Sequence, residues 1–152
     1  MKPTDLLIEE LSLLKWSGAR LTLAAHFILS VIKLNTVNLA RLALAFETPV
    51  EAESNYKRLQ RFFRHFEMDF KALTHLIAGW LPPTPWVLCL DRTHWQVGKT
   101  SMNILMLAVA YRGIAIPLMW TVMNKKGNSH TDERIALLER FIHLLGHRLS
   151  YR

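Results

Sequence analysis

One carboxylate in this sequence stands where a sheet would present it to a ligand. Asp91 follows the apolar run Trp86-Val87-Leu88-Cys89-Leu90, which is typical of a buried strand, and we expect that strand to end at the aspartate. Because polar groups at strand ends converge on ligands in open sheets, a carboxylate there suits a divalent cation. The alternative is that Asp91 caps a turn or pairs with Arg92, and spacing alone does not separate the two interpretations.

A single aspartate does not complete a metal site for phosphoryl transfer, which commonly uses two divalent ions ~4 Å apart bound by oxygen ligands. The other downstream acids lie on a predicted helix, where first-turn charges and a solvated face explain them more simply than metal binding does. These acids are Asp132, Glu133 and Glu139. The seven histidines are scattered with no ligand pair on a proven common face, and the single cysteine, Cys89, excludes cysteine-rich zinc sites and a disulfide framework.

A second set of candidate residues lies on a basic helix between Asn55 and Phe66. At ~100° per residue, its cations fall on one face and its leucine and phenylalanine side chains on the opposite face. The cations are Lys57, Arg58, Arg61 and Arg64. A solvated basic face is the simpler alternative. However, four cations with no acid between them, in a chain of net charge +7, favour contact with phosphates.

The segment Leu81-Pro82-Pro83-Thr84-Pro85 divides the chain into two parts, because prolines lack the N–H that continues a helix. We therefore predict a helical region over residues 1–83 and a second domain over residues 84–152. The first part carries 10 basic and 8 acidic side chains, and the second carries 9 and 4. Most of the excess positive charge thus lies in the second part.

Apolar spacing predicts helices throughout the first part. The helical positions are Leu6, Leu7, Leu11 and Leu14, followed by Leu21, Ala25, Ile28 and Ile32. Thr48, Pro49 and Glu51 form an N-terminal capping pattern, so we expect the basic helix to run from about Pro49 to Phe66. Asp69 is placed to cap a further helix that ends near Trp80.

Short apolar runs after the prolines predict three strands. The first is the Trp86–Leu90 run, and the others are Ile104–Tyr111 and Ile114–Val122. The first two are apolar on both faces, which is typical of central strands covered on each side.

Gly98 fits a hairpin turn better than a phosphate-binding loop, because Thr93 stands where that loop needs glycine. Ser129 and Asp132 open a last helix with a predicted core stripe of Ile135, Leu138, Ile142 and Leu145.

The composition is that of an ordinary globular chain, with 152 residues of which 51% are apolar and 20% charged. The apolar runs fall short of the ~20 residues that span a bilayer, and the first ten residues contain Glu9 and Glu10 in place of a secretory core. We therefore expect a soluble, cytoplasmic protein without membrane contact. The positive charge favours a polyanionic partner but identifies none.

An ordered series of short motifs resembles bacterial insertion-sequence transposases of the DDE superfamily and covers most of residues 55–146. Six consecutive blocks are far more specific than any one of them. They are Leu90-Asp91-Arg92-Thr93-His94-Trp95, Gly98-Lys99, Asn103-Ile104-Leu105-Met106-Leu107-Ala108-Val109, Tyr111-Arg112-Gly113, Ile116-Pro117-Leu118-Met119-Trp120, and Lys126-Gly127-Asn128-Ser129 with Glu133-Arg134.

The resemblance implies an α+β chain with a helical, DNA-binding region over residues 1–83, followed by an incomplete ribonuclease H-like β-β-β-α core over residues 84–152. It implies cut-and-paste transposition, with Asp91 as the first catalytic, metal-binding acid for Mg²⁺ or Mn²⁺. It also implies double-stranded DNA at transposon ends as the partner, and it assigns terminal-repeat contacts to Lys57, Arg58, Arg61 and Arg64.

The sequence departs from this family at its end. Members continue into a further strand with a second aspartate and then to a glutamate, whereas this sequence ends at Ser150-Tyr151-Arg152. We therefore expect a truncated transposase that is inactive alone, does not hold the metal ions by itself and has the capacity to associate with the full-length enzyme. The alternatives are a DNA-binding fragment without catalysis and an unselected remnant.

Overall fold

The structure is a computed structural model that describes residues 2–83, 85–123 and 129–146. The chain is α+β, and its helices precede and follow a three-stranded antiparallel sheet. It divides into two compact units, Met1–Ala72 and Leu73–Arg152. No helix in the described ranges is long and apolar enough to cross a membrane.

The first unit consists of helices, as the apolar spacing predicts. They are α1 (Pro3–Leu11), a short 3₁₀ turn (Ser12–Leu14), α2 (Gly18–Leu34), α3 (Leu39–Leu44) and α4 (Ala52–His65). Asn35 ends α2 in the left-handed conformation, at φ 48°, a conformation that asparagine tolerates better than most residues. Within the predicted apolar pattern, Leu11, Leu21 and Ala25 are buried, whereas Ile32 is 73% exposed. The core comprises Leu23, Leu42, Ala43, Phe46 and Leu59.

Helix α4 begins later than the capping pattern predicts. Its N-cap is Glu51, which makes no side-chain capping bond, and the helix ends at His65. The Thr48 hydroxyl accepts a hydrogen bond from Asn55 Nδ2 at 3.1 Å instead of capping the helix. Asn55 Nδ2 also donates to the Val50 carbonyl at 3.1 Å, and Asn55 is only 1% exposed. The turn containing Pro49 therefore folds over a buried asparagine.

Helix α5 (Phe70–Trp80) confirms the predicted cap at Asp69. The Asp69 carboxylate accepts from the backbone N–H groups of Lys71 and Ala72 at 2.9 and 3.1 Å. The second unit begins within this helix, because the buried Thr74 hydroxyl donates to the Leu118 carbonyl at 3.0 Å and Ala78 joins the core of the sheet. The predicted domain boundary at residues 83 and 84 lies after α5, where helices give way to strands.

The three predicted strands are present as β1 (Val87–Val97), β2 (Thr100–Tyr111) and β3 (Ile114–Met123), in the order β1-β2-β3. Gly98, at φ 60°, begins the predicted hairpin turn between Val97 and Thr100. The second hairpin turns at Arg112 and Gly113, which both have positive φ, as a type I′ turn requires.

The predicted end of the first strand at Asp91 is wrong. Pairing with β2 continues to Val97, and Asp91 lies in mid-strand opposite Met106. The prediction that β1 and β2 are both covered on each face is also wrong. Leu88 and Leu90 are only half-buried, since within the described sheet β1 pairs with β2 alone. Strand β2 alternates, and Asn103, Leu105, Leu107 and Val109 form its buried face.

Helix α6 (Thr131–Leu145) confirms half of the predicted stripe, since Leu145 is buried and Leu138 packs against the core, and contradicts the other half. Leu137, Phe141 and Leu145 are at most 1% exposed and join the core of the sheet, whereas Ile135 and Ile142 are 47% and 51% exposed. The i, i+4, i+8 line of the three buried residues is the face that contacts the sheet. Ser129 does not cap this helix. The N-cap of α6 is His130, whose backbone N–H donates to Glu133 Oε2 at 2.7 Å.

Candidate functional site

Asp91 lines an open cavity on the sheet unit. The carboxylate is exposed, although it lies in mid-strand, because β1 forms an edge of the described sheet. The cavity measures about 380 Å³. Its lining residues are Leu90, Asp91, Arg92, Leu105, Ser129 and Arg134. Among the described residues, the site therefore combines one carboxylate, two guanidinium groups and one hydroxyl.

The carboxylate of Asp91 is not bound to a neighbouring guanidinium. Its Oδ1 accepts a hydrogen bond from the backbone N–H of Arg92 at 2.7 Å. Within residues 2–83, 85–123 and 129–146, the salt bridges are Lys33–Glu47 and Lys57–Glu53. The alternative that Asp91 pairs with the Arg92 side chain is thus not what the geometry shows, and the carboxylate faces the cavity with oxygen available to a ligand.

Buried polar partners orient both guanidinium groups of the cavity. Arg92 Nη1 donates to Asn103 Oδ1 at 2.9 Å, and Asn103 is 1% exposed. Arg134 Nε donates to Ser129 Oγ at 2.9 Å, and its Nη2 donates to the Ser129 carbonyl at 3.3 Å. Since Ser129 is 8% exposed, this pair of bonds fixes the plane of the Arg134 guanidinium. The sequence did not place Arg92, Asn103, Ser129 or Arg134 in the site, although all four fall in the motif blocks that carry the resemblance.

The described part of the chain does not assemble a complete metal site. It contains no cluster of three His, Cys, Asp or Glu side chains able to hold an ion. Glu133 serves the N-terminus of α6 through its bond from His130, and Asp132 lies in the first turn of that helix. Asp91 therefore offers one oxygen ligand, which does not by itself fit two Mg²⁺ or Mn²⁺ ions.

A groove in the helical unit gathers positive charge between α2 and α4. It measures about 280 Å³, and its lining residues are Ala19, Arg20, Leu23, Arg58, Arg61, Phe62, His65 and Phe66. The lining has three guanidinium groups, one imidazole and two phenyl rings, and it includes no carboxylate. We call this surface the arginine groove.

The structure separates the four predicted DNA-contacting residues into two pairs. Arg58 and Arg61 line the arginine groove, whereas Lys57 and Arg64 do not. Lys57 Nζ lies 2.6 Å from the Glu53 carboxylate, so its charge is partly neutralised. Arg64 is exposed on the same helix.

Arg20 and His65 belong to the groove and were missed by sequence reasoning. The Arg20 guanidinium lies over the Phe66 ring, 4.8 Å from its centroid. His65 had a usable signal, since it is close to one turn after Arg61 on α4. The sequence contains no such signal for Arg20, because only the packing of α2 against α4 brings this residue to the groove.

His26 on α2 supplies a pH-dependent term in stability. Its ring stacks on Phe46 with centroids 5.4 Å apart. Burial lowers the pKa of His26 below 6.5, the positive charge of Arg58 lowers it further, and Glu47 opposes both effects.

We expect the free energy of unfolding to decrease as pH falls through 6.5, because the unfolded state, with the ordinary imidazole pKa, then binds more protons than the folded state. The contribution of His26 is fully present above that pH and is lost below it. Urea unfolding between about pH 8 and pH 5 measures the slope. A His26→Gln variant should have a shallower slope than the parent, and equal slopes would contradict the assignment.

Comparison of the chain with protein-family models, with curated proteins and with solved structures found no significant match. The geometry of the Asp91 cavity and of the arginine groove is therefore the basis for the function proposed next.

Proposed function

We propose that this chain is part of a DDE-superfamily transposase, with a ribonuclease H-like β-β-β-α core that acts on double-stranded DNA. One observation carries the proposal. An exposed carboxylate, Asp91, on the first strand of an antiparallel β1-β2-β3 sheet, lines a cavity with two oriented guanidinium groups, and α6 follows the sheet. The β1-β2-β3-α6 order is the one that the resemblance implies and supports the proposal, whereas Asp91 lies in the middle of β1 and not at its end.

The charges of this cavity fit a phosphodiester together with a divalent cation. Two guanidinium groups and one carboxylate give a net charge of +1, which favours an anion. Guanidinium groups match the geometry of phosphate oxygens, and the carboxylate is a ligand of the kind Mg²⁺ and Mn²⁺ prefer. We assign metal binding to Asp91 and phosphate contact to Arg134, with Arg92 oriented beside them.

A second candidate function is DNA binding without cleavage. It is favoured by the arginine groove, which presents three guanidinium groups without any carboxylate in its lining. The two candidates make different predictions about Asp91, because only the transposase proposal requires that residue to interact with a cation in the presence of DNA.

The test measures how Mn²⁺ changes the affinity for duplex DNA. If Asp91 binds a cation beside a phosphate, Mn²⁺ increases the affinity of the parent chain. Asp91→Asn should bind DNA at least as tightly as the parent without Mn²⁺, since a negative charge has been removed, and should gain less from the ion. Fluorescence anisotropy of a labelled duplex at constant ionic strength gives both affinities.

Asp132→Asn is the matched control, because it removes one exposed carboxylate from the first turn of α6. It should keep the Mn²⁺ response of the parent. Equal responses of the parent and Asp91→Asn would contradict the transposase proposal. If DNA binding itself persisted in that case, the second candidate function would be favoured.

A further inference from the structure

We infer that Arg20, Arg58 and Arg61 together bind one phosphate of a DNA backbone in the arginine groove, so that helix α2 contributes a DNA contact in addition to α4. This inference rests on the proposed function, because it takes duplex DNA as the partner. It adds Arg20 to the binding surface and removes Lys57 and Arg64 from the phosphate site.

The grouping of like charges is the first argument. Three guanidinium groups share a groove of about 280 Å³, and no Asp or Glu lies among the residues that line it. Like charges at short range repel each other, and the repulsion is relieved when an anion binds between them. The positive charge of Arg58 also lowers the pKa of His26.

The second argument is that each guanidinium is held in place. Arg58 Nη1 donates to Asn55 Oδ1 at 3.4 Å, and Asn55 is itself anchored to Thr48 and Val50. Arg61 Nε donates to the Lys57 carbonyl at 3.4 Å, and Arg20 lies over the Phe66 ring. Side chains that are already ordered lose less conformational entropy when they bind a ligand.

Two phenyl rings in the lining add apolar surface beside the guanidinium groups. Phe62 and Phe66 are half-buried and stack on each other with centroids 4.7 Å apart. Apolar surface beside charged groups strengthens their interactions with a bound anion, and the guanidinium planes match phosphate oxygens. Arginines that contact only the backbone position a protein on DNA without reading its sequence.

The experiment compares Arg20→Gln with Arg64→Gln, which remove the same charge inside and outside the groove. Affinity for two duplexes of unrelated sequence is measured by fluorescence anisotropy over a range of salt concentrations. We expect Arg20→Gln to weaken binding roughly 10-fold for both duplexes and to reduce the salt slope by no more than about 0.9. Arg64→Gln should weaken binding by no more than about 2-fold.

Arg20→Lys keeps the charge, loses the planar group and should fall between the parent and Arg20→Gln, while circular dichroism checks that each variant is folded. Equal effects of Arg20→Gln and Arg64→Gln would overturn the inference and leave the proposed function standing. A loss confined to one duplex sequence would also overturn it, because a backbone contact is independent of sequence. No binding of the parent to either duplex, with binding to anionic phospholipid vesicles instead, would overturn the proposed function together with the inference.

Discussion

Replacing Phe141 by alanine is expected to destabilise the sheet unit by about 3–5 kcal/mol. The Phe141 side chain is 1% exposed and belongs to the core that α6 forms with β2 and β3, including Leu107 and Leu118. Its truncation removes apolar contacts and leaves a cavity that the surrounding strands fill only in part. Native-state hydrogen exchange of the β2 amides measures the loss in this unit specifically.

The neighbouring residue provides the control. Ile142 is 51% exposed, so Ile142→Ala should change the same exchange free energies by no more than about 0.5 kcal/mol. The sequence pattern alone predicts the opposite order, with Ile142 in the core. A larger cost at Ile142 than at Phe141 would show that α6 packs with its other face.

The double substitution Arg58→Gln and Arg61→Gln is expected to weaken duplex DNA binding roughly 100-fold. Both guanidinium groups line the arginine groove, and a charge-assisted bond to phosphate contributes about 1.5–3 kcal/mol. The salt slope should fall by up to about 0.9, since the two guanidinium groups share one phosphate. Anisotropy titrations at several salt concentrations give both quantities.

The matched double variant is Lys57→Gln with Arg64→Gln, which removes the same two charges from the same helix. Lys57 already pairs with Glu53, and neither residue lines the groove. We expect a loss several-fold smaller than that of the groove pair. If both double variants lost affinity equally, DNA would be attracted by the net charge of α4 and the groove would have no particular role.

Features set by local chemistry could be predicted from the sequence. The cap at Asp69 depends on a carboxylate and the two N–H groups that follow it. The hairpin at Gly98 depends on a positive φ that glycine adopts without strain. The three strands follow from short apolar runs between turns, and their existence was predicted more reliably than their ends.

Features set by long-range packing could not be predicted in this way. Strand β1 continues through the polar segment from Asp91 to Gln96 because β2 pairs with it, and propensity gives no sign of this. Helix α6 has apolar residues on several faces, so periodicity does not identify the face that contacts the sheet. At the sites, Arg20 and Arg134 reach their cavities through tertiary packing that sequence spacing does not show.

The measurement that tests the central claim most directly is iron-mediated cleavage of the polypeptide. Fe²⁺ replaces Mg²⁺ in the DNA complex, and peroxide with ascorbate then produces hydroxyl radicals that cut the chain near the bound ion. A cation on Asp91 predicts cuts around residue 91 in the parent and in Asp132→Asn, and none there in Asp91→Asn. Cuts that persisted in Asp91→Asn, or an absence of cuts around residue 91 in the parent, would contradict a divalent cation site at this carboxylate.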